Sequence, residues 1–171
     1  MPPQAPGGAG YREEALRIAC AAGLLQAVLA RPAQPSPTGV LIVVGGPQYR
    51  AGSHRQYVLL ARALARAGHA VLRYDCPGRG DSPGAPPDFE KDFEDIPAAL
   101  AALLHAVPAL RQVALWGLCD AASAILLYCQ ATRDPRIAAL ALANPWMRSA
   151  QSLAQVQQRH YYFQRLQAPG F

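Results

Sequence analysis

Gly117-Leu118-Cys119-Asp120-Ala121 sets a thiol between two small residues, each two positions away from it. Where a strand runs straight into a helix the two backbones nearly touch, and only small residues fit at those two places. Val113 to Trp116 reads as a strand and Ala121 to Ala131 as a helix, so the junction falls on Cys119. A side chain there stands at the helix N-terminus, where the dipole favours an anionic sulfur. The charge of Asp120 opposes that effect. Nucleophilic attack on an acyl carbon is the chemistry such a thiol can do. The plainer alternative, a small buried cysteine in an alanine-rich stretch, explains the residue type but leaves the spacing unexplained.

Acyl transfer also needs two N–H donors for the developing oxyanion. The backbone N–H of Asp120, the residue after the nucleophile, is one. The second is expected from Gly45-Gly46-Pro47-Gln48, the loop after the strand Val40 to Val44. Pro47 has no N–H, which leaves Gln48 or Gly46. An ordinary glycine-rich turn would have the same composition. His54, at the end of this loop, is a candidate base or substrate contact, against a plain N-terminal helix position. His160 lies beside Tyr161 and Tyr162 and reads as a packing or surface residue, while His69 and His105 sit at the far ends of their elements.

The elements that must position these groups follow from periodicity. Glu14 to Ala22 and Leu24 to Arg31 flank Gly23 as a hairpin. Val40 to Val44 is a β-branched run between glycines, the mark of a strand buried on both faces of a parallel sheet. A helix from about His54 to Ala67 follows, with Ser53 as cap and Gly68 as stop. His69 to Tyr74 is a strand, and Asp75 to Pro87 a Gly- and Pro-rich loop. The next helix ends at Ala106 and begins near Phe89, or near Pro97, since an interior proline costs about 3 kcal/mol. Ile137 to Ala143 is a further strand, and Ser149 to Leu166 is expected to be helical. Alternating strands and helices predict a mostly parallel sheet with helices on both faces.

Half of the residues are apolar, which excludes a disordered or coiled-coil chain. The net charge of +5 comes from dispersed arginines and a single lysine, Lys91, with no basic stripe. Nucleic acid is therefore not an expected partner. Gly78 to Gly84 has its third glycine one place late for a dinucleotide loop, and Gly46 to Ser53 lacks the lysine of a phosphate loop. No cofactor or metal is expected. The cysteines Cys20, Cys76, Cys119 and Cys129 contain no C-x-x-C pair. A reducing, cytoplasmic setting fits them. The apolar stretch Ile18 to Ala30 ends in a small-residue pattern, but Glu13 and Glu14 stand where a signal peptide carries positive charge. No run reaches the ~18 apolar residues of a membrane span.

Gly45 to Arg55, Asp75-Cys76-Pro77-Gly78-Arg79-Gly80-Asp81-Ser82 and Leu115 to Ala121 together resemble the α/β-hydrolase superfamily. Within it, the chain resembles the first type of exosortase A system-associated hydrolases. The resemblance implies an α/β-hydrolase fold with an N-terminal hairpin and a bacterial hydrolase of exopolysaccharide and protein-sorting loci. It also implies Cys119 as nucleophile of a small-molecule or acyl substrate, in an elbow formed with Gly117, Leu118 and Ala121. The D-x-x-G-x-G-x-S segment from Asp75 to Ser82 corresponds to a structural turn. Three regions are expected: a disordered lead-in over 1–12, the N-terminal part of the core over 13–147, and the start of a cap or lid helix over 148–171. In this superfamily the triad acid and histidine follow the nucleophile on later strands. The chain therefore reads as lacking the C-terminal strands, either as part of a longer enzyme or as a non-catalytic binding or scaffold module. An unpaired sheet edge would favour self-association.

Overall fold

Gly23, at φ 123°, turns the chain between β1 (Tyr11–Cys20) and β2 (Gly23–Pro32). The computed structural model describes residues 10–86 and 93–145. The two strands pair antiparallel over their whole length, from Tyr11 opposite Pro32 to Cys20 opposite Gly23. The hairpin is the one expected, but it begins earlier, so Tyr11 and Arg12 of the expected lead-in belong to a strand. Tyr11 is held there by packing, with the Arg66 guanidinium 5.4 Å above its ring. Expectations for 1–9 and for the cap segment from 146 onward, His160 included, lie outside the described residues.

β3 (Thr38–Ile42), β4 (Val71–Tyr74), β5 (Gln112–Leu118) and β6 (Ile137–Ala143) complete one six-stranded sheet in the order β1-β2-β4-β3-β5-β6. β4, β3, β5 and β6 run parallel, and β2 pairs antiparallel with β4. The ladder of β3 ends two residues before the expected Val44, although the Val43 N–H still donates to the Trp116 carbonyl at 2.9 Å.

Alternation along the strands divides the core. Val40, Ile42 and Val44 face one side, with Val71 and with Tyr57, Ala61 and Ala65 of α1 (Gln56–Arg66). Leu41, Val43, Leu72, Tyr74 and Leu115 face the other, with Leu100 and Leu103 of α2 (Ile96–Ala106) and Ile125 and Tyr128 of α3 (Asp120–Thr132). Helices thus cover both faces, as expected, and each of these fully buried aliphatic side chains stabilises the fold by about 1.5–3 kcal/mol.

The start of α1 differs from expectation. Ser53 makes no side-chain cap; Ser53–Arg55 is a short 3-10 turn with His54 and Arg55 at φ 49° and 60°. The backbone supplies the cap instead, as Arg55 N–H donates to the Gly52 carbonyl and Tyr57 N–H to that of Ala51, both at 3.1 Å. The other end closes as expected on Gly68 (φ 94°): its N–H reaches Ala65 and that of His69 reaches Leu64, the two bonds of a Schellman cap. α2 begins at Ile96 with Pro97 in its first turn, where a missing N–H costs nothing. Among the described residues no helix is long and apolar enough to cross a membrane.

Candidate active site

Parallel strands bring their carboxyl ends to one edge of the sheet, and three neighbouring strands, β3, β5 and β6, deliver the site. In register, Ile42 lies beside Trp116, and Leu118 beside Ala143. β5 passes into α3 through Cys119 alone, whose φ of 57° and ψ of −116° are strained for a residue with a Cβ. Its N–H donates to the Ala143 carbonyl at 2.9 Å, which fixes the turn to β6. The side chain is exposed at the start of α3, and all four cysteines are free thiols.

The small residues of the turn are required by contact. A Cβ on Gly117 would lie 2.9 Å from backbone atoms of Ala121 and Ala122 and 2.6 Å from the Ile125 Cδ1. Ala121 is wholly buried. The loop after β3 closes on the same turn: a Cβ on Gly45 would stand 2.3 Å from the Ala121 nitrogen, and one on Gly46 would stand 3.0 Å from Asp120 Oδ2. Gly46 is also left-handed, at φ 61°. Cys119, Asp120 and Gly46 are thus brought together.

Gln48 is held from behind. The Tyr57 hydroxyl donates to Gln48 Oε1, and the Tyr57 ring meets Trp116 edge-on, with centroids 5.3 Å apart and planes at 69°. Tyr57 is buried at the head of α1, and burial raises its pKa above the ordinary range. The Gln56 side chain works against that, and the neighbouring Cys119 adds to it. The phenol stays a neutral donor at physiological pH.

A second loop braces the first. The Asp75 carboxylate, fully buried after β4, accepts the Arg50 backbone N–H at 2.6 Å, the Asp81 N–H at 2.9 Å and the Arg50 guanidinium. That guanidinium also reaches Asp81. Gly80 packs on the carboxylate, where a Cβ would stand 2.3 Å away, and Ser82 Oγ ties the Asp75 carbonyl to the Gln26 N–H, each at 2.8 Å. Gly78, at φ 68°, packs where a Cβ would stand 2.5 Å from the Pro86 nitrogen, so each signature residue of the Asp75 to Ser82 segment has a place in the turn.

His54 is exposed in the 3-10 turn, and its side chain makes no hydrogen bond among the described residues. His69, read as structural, bonds through Nδ1 with Ser36 Oγ and the Thr38 carbonyl, both at 3.0 Å. Among the described residues no three His, Cys, Asp or Glu side chains group as metal ligands do. Two residues were missed. Tyr57 reads as part of an apolar stripe, and only the hydroxyl distinguishes it from a core residue. Asn144, left-handed at φ 49° directly after β6, points Nδ2 at Cys119 Sγ from 3.8 Å. Its sequence signal is an asparagine between a strand and a proline, a setting that suits left-handed backbone.

A sheet of this order with an exposed residue on a strained strand-to-helix turn defines the α/β hydrolases, and the chain belongs to the α/β hydrolase fold family, whose sequence profile matches residues 39–168. Among solved structures it is similar to an esterase of Pyrococcus furiosus (16% identity, TM-score 0.73, covering 95% of this chain and 61% of that one). It is also similar to the α/β hydrolase GrgF of a Penicillium species (23%, 0.68, 91% and 55%). A highly thermostable carboxyl esterase of Bacillus coagulans is a third (19%, 0.67, 88% and 50%). The chain spans 50 to 61% of the length of these three proteins. No curated protein matches its sequence.

Proposed function

We propose that the chain supplies the nucleophile half of a hydrolase for ester, thioester or related acyl bonds, with Cys119 as the attacking group. The observation that carries this reading is the backbone of Cys119, a strained left-handed residue with an exposed thiol at the start of α3, packed under Gly45. Strain of this kind costs about 1–3 kcal/mol and persists where surrounding packing imposes it. The deprotonated sulfur attacks the acyl carbon, and the Asp120 N–H with a donor of the Gly46 to Gln48 loop holds the oxyanion. The carbon–oxygen or carbon–sulfur bond to the leaving group breaks, and that group departs with a proton. Water then cleaves the thioester, releasing the carboxylic acid and restoring the thiol. His54 is the base or substrate contact to be tested alongside. The sequence resemblance to exosortase-associated hydrolases supports a hydrolase encoded alongside exopolysaccharide and protein-sorting functions.

The test is p-nitrophenyl acetate acylation of the full chain, followed by peptide mass spectrometry. The acetyl group is expected on Cys119, with the p-nitrophenolate burst abolished in Cys119→Ala and slowed in His54→Ala. Acetylation of Cys20 or Cys129 as fast as Cys119 would overturn the assignment.

A further inference from the structure

We infer that Asn144 is a positioning residue for the nucleophile, a neutral hydrogen-bond donor that holds the anionic form of Cys119. This rests on the reading of Cys119 as nucleophile. The geometry comes from the sheet: β5 and β6 are parallel and in register at Leu118 and Ala143, so the residues after them, Cys119 and Asn144, leave the same edge side by side. The Cys119 N–H to Ala143 carbonyl bond locks that juxtaposition, and Nδ2 of Asn144 then lies 3.8 Å from Sγ, within reach of a long sulfur hydrogen bond. An amide N–H interacts more strongly with a sulfur anion than with a thiol. The donor therefore counts only once the proton has left.

The left-handed backbone accounts for asparagine at position 144, but glycine or aspartate would satisfy it as well. Aspartate would set a carboxylate against the sulfur, and glycine would leave it without the donor. Of the three residue types that suit this backbone, asparagine alone brings an N–H. Among the described residues, the groups facing the sulfur from the other packed elements do not replace it. Tyr57 on α1 spends its proton on Gln48, and the carboxylate of Asp120 on α3 turns toward Gly46. Bonding the sulfur to the neighbouring strand also fixes the rotation of the Cys119 side chain above the turn.

The comparison of glycine with aspartate at 144 separates this role from a backbone one, because both keep the left-handed conformation. The readout is the pH profile of iodoacetamide alkylation at Cys119, resolved by peptide mass spectrometry on the full chain, with circular dichroism melting to report the fold. In Asn144→Gly the midpoint is expected to rise by about 0.5–1 pH unit, with a three- to tenfold slower rate at pH 7. In Asn144→Asp it is expected to rise further, by about 1–2 units. Profiles in both variants that coincide with the parent would overturn the proposal, as would a midpoint that rises equally in the two. Alkylation needs no turnover: an Asn144-dependent profile in a chain that never acylates with ester would defeat the hydrolase reading and leave this one standing.

Discussion

Replacing Gly45 with alanine adds one methyl group at the closest approach in the site. Its Cβ would lie 2.3 Å from the Ala121 nitrogen and 2.9 Å from both the Ala121 Cα and the Asp120 carbonyl carbon, where ordinary contact begins at 3.4 Å. The worst overlap is about 1 Å, and every opposing atom is backbone, so no side chain can rotate away. Overpacking of a core usually costs 1–3 kcal/mol, and the upper end applies here, about 3 kcal/mol. For a chain of this size that lowers Tm by about 6–12 °C. Gly117→Ala should cost somewhat less, about 2 kcal/mol, since its closest contact, the Ile125 Cδ1 at 2.6 Å, is a side-chain atom and the backbone atoms of Ala121 and Ala122 stand at 2.9 Å. Gly10→Ala, with nothing within 4 Å, is the control. Thermal melting by circular dichroism reads the fold, and p-nitrophenyl acetate acylation reads the site. If the loop yields rather than the fold, Tm is retained and acylation falls at least tenfold. A Gly45→Ala protein that matches Gly10→Ala in both refutes the close packing of the loop on the turn.

Asp75→Ala removes a buried carboxylate and leaves the backbone N–H groups of Arg50 and Asp81 without their acceptor, while the Arg50 guanidinium keeps Asp81, so a loss of about 2–4 kcal/mol in urea unfolding is expected; a loss under about 1 kcal/mol would deny the Asp75 cluster its bracing role. Asp134 is held well below the usual carboxylate range, chiefly by the Arg136 guanidinium, with burial opposing and the Tyr128 hydroxyl assisting. Because its folded pKa is depressed, its contribution is complete above the unfolded value near 3.9 and is lost as pH falls below it. Asp134→Asn should therefore lose about 1 kcal/mol at pH 7, discounted for the half-open Arg136, and its deficit against the parent should shrink steadily as the pH falls from about 4 to 2, as urea titrations across that range will tell. β6 pairs only with β5 among the described residues and leaves Leu140 42% exposed, so we expect the isolated chain to self-associate, with Leu140→Lys shifting it toward monomer in light scattering. Equal masses for the two proteins would discount the β6 edge.

The sheet was readable because Val40 to Val44 is a β-branched run between glycines and the other strands are short apolar runs between loops, and Ile137 to Ala143 falls where the pattern puts it. The turn at Cys119 was readable for the same reason its residues are small: packing against Ala121 and Ala122 excludes larger ones, so the constraint is written in the composition. The head of α1 was not. Two consecutive non-glycine residues, His54 and Arg55, take left-handed conformations that their side chains do not announce. A serine in the right place looks like a cap even when backbone carbonyls do the capping. Tyr57 and Asn144 were hidden differently, since each meets its partner across the fold, and a local pattern cannot reveal a contact made over 9 or 25 residues. The Asp75 turn lies between: its residue types were legible, but the arginine it serves was not.

The backbone bond from Cys119 to Ala143 makes Cys119 the last rung of the β5–β6 ladder. Its amide hydrogen is released to deuterated solvent when the end of that ladder opens, while the sulfur of the same residue is exposed without any opening. Reagent access and structural protection are thus divorced within a single residue. The chain can offer a thiol to small molecules without loosening the sheet that aims it.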